Sequence, residues 1–433
     1  MTASTLLSAR PRLRPEIRLG PPLAAGKTVV HHLKDPQTGW YFRVGAREYF
    51  VISRLDGEHT VADIGAEYVR EFGRRLGEEH WQQIFGLLAG RRLLVGTDDP
   101  QVLPALAESA RRAGRGGQSI LLYRRPLVNP DRLLGWLEPR LRFAFSPWFV
   151  IPAAAAIITM LTGLAIRWAA VYSDVRHDWR NGWILAASIT IIWLSLAVHE
   201  TAHGLACKHF GGSANEIGII WRFPILAPYC RADDVVLFWP RRHRVYTAFA
   251  GIFAGLVVAL PFAALWLAAP PGSPLRFLSA AVIVFSAAAA LFNLLPFLQL
   301  DGYFMLNHAL GLSNLRLESY RFIGTLLRRR GSEGYQQRVR VTYLLYGTGS
   351  LLYGALLATR MAVAWYRPLS HAFGTAGAAL IIPALAALGA GAAAMSVRRA
   401  RRKQAALPTA VAAAAPPAGI GSTQSRTDGG TRP

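Results

Sequence analysis

Charge is scarce in this chain and cysteine nearly absent. Only 17% of its 433 residues are Asp, Glu, Lys or Arg and two are cysteine, while 52% are hydrophobic. So little charge over so long a chain argues against an ordinary soluble enzyme, although the length allows two domains. Cys207 and Cys230 make no disulfide framework and no CxxC metal pair. Acidic residues are the scarcer charge, 25 against 48 Lys and Arg, which leaves a net charge of +23. The first 22 residues, MTASTLLSARPRLRPEIRLGPP, lack the apolar core of a secretory signal. The first large segment is therefore expected to stay in the cytosol.

What the chain has instead is long apolar runs, with a mean hydropathy of +0.25. Runs near 147–170, 183–207, 245–269, 276–297, 341–365 and 370–396 are nearly free of charge. Each has the roughly 20 residues needed to cross about 30 Å of hydrocarbon as a helix. The arginines sort between alternate runs. Seven lie between 309 and 340 and a basic cluster runs from Arg398 to Lys403, whereas 171–182 holds two. That bias predicts a multi-pass protein of the cell membrane with both termini cytoplasmic, and it accounts for the basic pI without nucleic acid as a partner.

Ahead of these runs, residues 27–98 have the punctuation of a small α/β domain. Val29-Val30 and Trp40 to Val44 flank the turn-like Asp35-Pro36-Gln37-Thr38-Gly39, a hairpin signal. Val51, Ile52 and Leu55 follow at helical spacing. Thr60 to Asp63 then makes a capping box ahead of a face formed by Val61, Ile64, Tyr68 and Phe72. Trp81, Ile84, Phe85 and Leu88 predict a third helix, and Arg91 to Gly96 a closing wing strand. This order resembles the PqqD-like, winged-helix peptide-recognition domains of ribosomal-peptide maturation systems, with Tyr49 to Ile64 carrying most of the likeness. The resemblance implies that a peptide is received as an added strand.

Arg111 to Gly117 reads as a basic, flexible linker, and the segment after Asn129-Pro130, with Leu133, Leu134, Trp136 and Leu137, suits an interfacial helix. The expected organisation is an arm at 1–26, the α/β domain at 27–98, linker and interfacial helix at 99–146, a membrane domain at 147–397, and a basic, disordered tail at 398–433.

The chemistry concentrates in two of the apolar runs. The second ends in His199-Glu200-Thr201-Ala202-His203. Histidines four apart share one helical face, so both imidazoles can reach one zinc while Glu200, one step round, serves as general base. Ionisable groups in an apolar span are costly unless they ligate, pair or line a polar cavity. A catalytic zinc needs a third protein ligand. The fourth run supplies one in Asp301, after Pro296 breaks the helix and beside Gly302, which allows a sharp turn. His209 lies about 120° off the ligand face and reads as a loop or interface residue. Asp233 and Asp234 read as a surface turn. Ile217 to Tyr229, broken by Arg222, Pro224 and Pro228, reads as a re-entrant loop that offers an extended edge to a substrate.

HExxH followed by Asn293, Pro296, Leu300, Asp301 and Gly302 resembles the site-2 protease family of intramembrane zinc metallopeptidases, whose core pairs HExxH with NxxPxxxLDG. The likeness spans about 130–320 and includes Gly211-Gly212, Asn215 to Gly218, Tyr229-Cys230 and Asn314 to Arg316. That subset is similar to the branch described as putative peptide zinc metalloproteases. The resemblance implies His199, His203 and Asp301 as zinc ligands, Glu200 as base, and Asn293 as a group that holds the substrate or the oxyanion. No PDZ-like insertion or nucleotide-binding module is evident, unlike branches that cleave membrane-anchored regulators.

The expected fold is thus mainly α, a polytopic helical bundle of about six spans with a small N-terminal α/β winged-helix-like domain. The expected activity is zinc-dependent peptide-bond hydrolysis in or near the bilayer, in maturation or leader removal of a ribosomally made precursor peptide. Two rivals are a regulatory protease that cuts a membrane-anchored protein, and a non-catalytic scaffold of a peptide export system.

Overall fold

A computed structural model describes residues 3–97, 102–115, 122–177, 182–222, 225–329 and 333–406. In chain order the elements before the long apolar runs are α1 (Ala3–Ser8), β1 (Arg18–Leu19), β2 (Leu23–Ala25), β3 (Thr28–Lys34), β4 (Tyr41–Gly45), α2 (Ala46–Ile52), α3 (Val61–Phe72), α4 (Glu78–Gly90), α5 (Val102–Arg115), β5 (Leu122–Val128) and α6 (Asp131–Leu141). There follow α7 (Pro147–Ile166), α8 (Trp168–His177), α9 (Gly182–His209), β6 (Glu216–Arg222), β7 (Ile225–Arg231), α10 (Arg241–Ala268), α11 (Pro274–Leu294), α12 (Asp301–Ala309), α13 (Leu315–Leu327) and α14 (Gln337–Ala406). The fold is mainly helical, with a small sheet near the N-terminus.

Five helices among the described residues are long and apolar enough to cross a membrane: α7, α9, α10, α11 and the Gln337–Gly377 part of α14. The first four fall on the first four predicted runs. The last two runs lie along α14 with no loop between them. Their only break is Gly374, whose φ of +71° interrupts the helical backbone.

The chain divides into two compact units, one of 1–13, 54–98 and 360–433, the other of 14–53 and 99–359. The division falls after Ser53, inside the predicted 27–98 segment. In the first unit Thr60 caps α3 through a reciprocal capping box with Asp63, and Val61, Ile64 and Tyr68 are buried on one face, following the helical period. Arg91 to Gly96 forms no wing strand. Leu94 makes an isolated bridge to Leu13, and Val95 donates to the Arg12 carbonyl.

In the second unit β3 pairs antiparallel with β1, β2 and β4. Ala24 of β2 exchanges backbone hydrogen bonds with Gly311 and Ser313 at 3.0 and 2.8 Å. A second sheet, of order β5-β6-β7, occupies the predicted re-entrant segment as an antiparallel hairpin. The β-branched residues of Glu216–Arg222 favour that outcome. Pro228 is tolerated because β7 is an edge strand and a missing N–H on the outer side costs no ladder bond. Helix α5 runs through Arg115, so the expected linker is helical to that point, its Ala, Leu, Glu and Arg being good helix formers. Gly116 and Gly117 lie outside the described residues.

Helix α10 is central in the bundle. Ile252, Leu256 and Ala259 pack against Ile157 and Met160 of α7, Val171 of α8, and Ala280 and Ile283 of α11. Asp234, predicted at the surface, is fully buried. The Nζ of Lys34 lies 2.6 and 2.8 Å from its two carboxylate oxygens, the Tyr41 hydroxyl donates at 2.5 Å, and the Ser213 N–H and hydroxyl donate at 2.8 Å each. A local reading could not see Lys34, 200 positions away. Asp233 does sit partly exposed, paired with Arg231.

Burial alone would raise the Asp234 carboxyl, but hydrogen bonds from Lys34 and Tyr41, with the lysine charge, hold it below the usual carboxylate range. A depressed carboxyl contributes stability above its unfolded value of about 3.9, and that contribution is lost as pH falls through the folded value. Asp234→Ala, which strands Lys34, is expected to cost about 3–5 kcal/mol at neutral pH and to flatten the acid limb of stability. Denaturant unfolding in detergent, followed by tryptophan fluorescence across pH, measures both effects.

Candidate metal centre

Helical spacing brings His199 and His203 to one face of α9, with their Nε2 atoms 3.2 Å apart. Asp301, at the first position of α12, meets both. Its Oδ2 lies 3.0 Å from His199 Nε2 and its Oδ1 3.4 Å from His203 Nε2. These separations can be compared with a tetrahedral zinc site, where arms of about 2.0–2.1 Å imply ligand–ligand edges of roughly 3.3–3.4 Å. Asp301 Oδ2 is also buried, and His199 Nε2, although 3.0 Å away, does not meet it with hydrogen-bond geometry. A carboxylate oxygen left bare at the centre of a nitrogen and oxygen cluster is what a cation would satisfy. The donor set, two imidazoles and one carboxylate, suits a divalent transition metal, zinc and iron among them.

Packing makes the cluster possible. Asp301 can reach α9 because the start of α12 lies against the end of α11: a Cβ at Gly302 would stand 2.3 Å from the Leu294 carbonyl oxygen. Gly251 of α10 lies against the imidazoles, where a Cβ would stand 2.4 Å from His203 Nε2 and 2.7 Å from His199 Nε2. The Thr247 carbonyl, one turn earlier, lies 2.8 Å from His203 Nδ1. A carbonyl only accepts, so Nδ1 carries the proton and the Nε2 lone pair is left for the cluster.

Glu200 stands one step round α9. Its Oε2 accepts the Cys230 N–H at 2.9 Å, an outward-pointing amide of β7. Asn293, in the last turn of α11, lines a cavity of about 20 Å³ together with His199, Ser195 and Ser286. All five predicted site residues, His199, Glu200, His203, Asn293 and Asp301, thus fall in one region of the second unit. His209 lies elsewhere, 2.9 Å from Glu138 and stacked on Phe145.

Sequence reasoning missed Thr247, Gly251, Ser286 and the Cys230 amide. One signal was available for the glycine. Gly251-Ile-Phe-Ala-Gly255 is a small-xxx-small pattern, which marks close helix approach in an apolar helix. The Thr247 and Cys230 contributions are backbone groups and leave no mark on residue type.

No protein-family model matches this chain, and no curated protein or solved structure matches it either.

Gly251→Ala places a methyl carbon against both imidazoles. If the cluster holds zinc, the substitution is expected to weaken that binding by about 10–100-fold, the range for losing ligand orientation. Competition with a chromophoric chelator measures the affinity, and Gly255→Ala, whose Cβ would stand 3.9 Å from His199, is expected to bind near the wild-type level.

Proposed function

We propose that this protein is a zinc-dependent endopeptidase that hydrolyses a peptide bond within or at the edge of the membrane. The observation that carries the reading is the convergence of His199, His203 and Asp301 at ligand spacing, with Glu200 adjoining on the same helix. His199, His203 and Asp301 would hold the metal. Bound there, zinc would supply Lewis acidity toward water and the scissile carbonyl.

The chain's own groups do the rest. Glu200 accepts a proton from the attacking water and passes it to the departing amine nitrogen. The Cys230 N–H fixes the carboxylate for that exchange through Oε2, leaving Oε1 free. The Asn293 amide, beside His199, can donate to the carbonyl oxygen as charge develops on it. Buried Ile252 and Ala290 exclude bulk water on that side.

A membrane-embedded substrate helix hides its carbonyls in its own hydrogen bonds, so it must unwind before attack. The edge strand β7 can pair with the unwound segment, since the same strand holds Glu200. Substrates on this reading are a ribosomally made precursor peptide or a membrane-anchored peptide, and the β1–β4 sheet is the candidate recruiting surface. The arginine distribution supports cytoplasmic termini.

Glu200→Gln tests the assignment. The glutamine oxygen can still accept the Cys230 N–H, so the fold around the site is kept. Zinc content is expected to stay at the wild-type level while cleavage of a co-expressed precursor peptide falls about 10²–10⁴-fold. Equal cleavage by both forms would return the scaffold reading to the front.

A further inference from the structure

A hydroxyl inside an apolar helix ordinarily returns its hydrogen bond to the carbonyl four residues back. Thr190 does so to Ala186 at 2.8 Å, Thr201 to Ala197 at 2.7 Å and Thr247 to His243 at 2.8 Å. Ser286 of α11 does not, nor do the buried Ser188, Ser279 and Ser319, but of these four it is Ser286 that lines the cavity beside His199. Its side chain is buried, 6% exposed, and its Oγ has no partner. This orphan hydroxyl lines the cavity of about 20 Å³ that also touches His199 and Asn293. A space of that size holds about one water-sized group. Ile252 and Phe285 supply apolar walls, while Gly255 and Ala289 keep the space open.

We propose that this cavity is a side-chain subsite for the substrate residue beside the scissile bond, selecting a small hydroxyl-bearing side chain, serine first, through Ser286 Oγ. The inference rests on the protease reading. A peptide carbonyl brought to His199, His203 and Asp301 has its neighbouring side chain within reach of the cavity, because His199 belongs to both. Serine places a hydroxymethyl group in the space and satisfies the orphan hydroxyl. Alanine and glycine fit but leave it unpaired. Leucine and phenylalanine exceed the volume.

The test uses the full-length, zinc-loaded protein in vesicles. The probe is a set of host peptides, each an apolar segment of about 20 residues with one guest position, Gly, Ala, Ser or Leu, scanned along it. Mass spectrometry locates the bond cut. Binding is read separately, by competition against a photo-crosslinking host peptide on the Glu200→Gln protein. Beside the cut bond, serine is expected to exceed alanine by roughly 3–10-fold in both readouts, and leucine to fall at least about 10-fold below alanine. Ser286→Ala is expected to bring the serine-to-alanine ratio to about 1, and Ala289→Leu, which fills the space, to leave glycine as the preferred guest.

Cleavage indifferent to the guest residue, or a serine preference that survives Ser286→Ala, overturns the subsite and leaves the protease reading standing. Serine-selective binding without cleavage by the wild type overturns the protease reading and leaves the pocket as a binding site.

Discussion

Two imidazoles and a carboxylate share a space only about 3 Å across inside an apolar bundle, and the surrounding structure is arranged around that constraint. Isolated polar groups at such depth are expensive, so each must be held by something that keeps it in place. The Thr247 carbonyl fixes His203, the close approach of α11 and α12 at Gly302 delivers Asp301, and Gly251 leaves room for both rings. Helix α10 therefore serves two ends. One face of it is the hydrophobic centre of the bundle, through Ile252, Leu256 and Ala259, and the adjoining turn is the wall of the His199–His203–Asp301 cluster. A larger residue at 251 would force α10 off α9 and loosen core and site together.

The parts of the site legible in the sequence are those governed by short-range geometry. Histidines four apart share a helical face in any helix, and a proline followed by Asp-Gly at the end of an apolar run announces a turn that carries an acid. Thr247 and the Cys230 amide act through backbone atoms, so no choice of side chain advertises them. Asp234 shows the same limit in reverse. Two adjacent acids after an aromatic stretch look like a surface turn until Lys34 and Tyr41 arrive from a strand far away in the chain. At fold level, the apolar runs gave the positions of α7, α9, α10 and α11. The re-entrant segment proved to be paired strands over its described residues, because Pro228 falls on the edge strand, where it breaks no ladder, while Pro224 lies outside the described residues.

The N-terminal region carries a related lesson. Its local signals were legible: the hairpin is β3–β4, and Thr60 caps α3 as its spacing predicts. What holds the hairpin was not. The sheet is tied to the loop after α9 and to the segment after β7 by the Lys34–Asp234–Ser213 cluster, and to the loop after α12 by backbone pairing at Ala24. Such ties join segments distant in sequence, and the 54–98 helices belong to a different compact unit. A boundary drawn from turn residues and helical periods has no access to either fact.

Strand β7 links these regions. Its Cys230 amide holds Glu200, and three residues after its end Asp234 anchors the β3–β4 hairpin. Displacing the hairpin would pull on Asp234 and, through a few residues of backbone, on the amide that orients the carboxylate. On the proposed reading the same strand also offers its outer edge to the substrate. A peptide paired there would border the hydrogen bond that positions the base, so docking and proton transfer would share one piece of backbone. Pro228 sharpens the geometry. It lies two residues from Cys230 and so on the same side of the strand, and it presents no N–H there. The Cys230 amide is already committed to Glu200, so along this stretch the edge offers a substrate carbonyl acceptors rather than amide donors. An unwound substrate segment would therefore engage β7 chiefly through its own N–H groups, leaving its carbonyls free to turn toward the metal cluster.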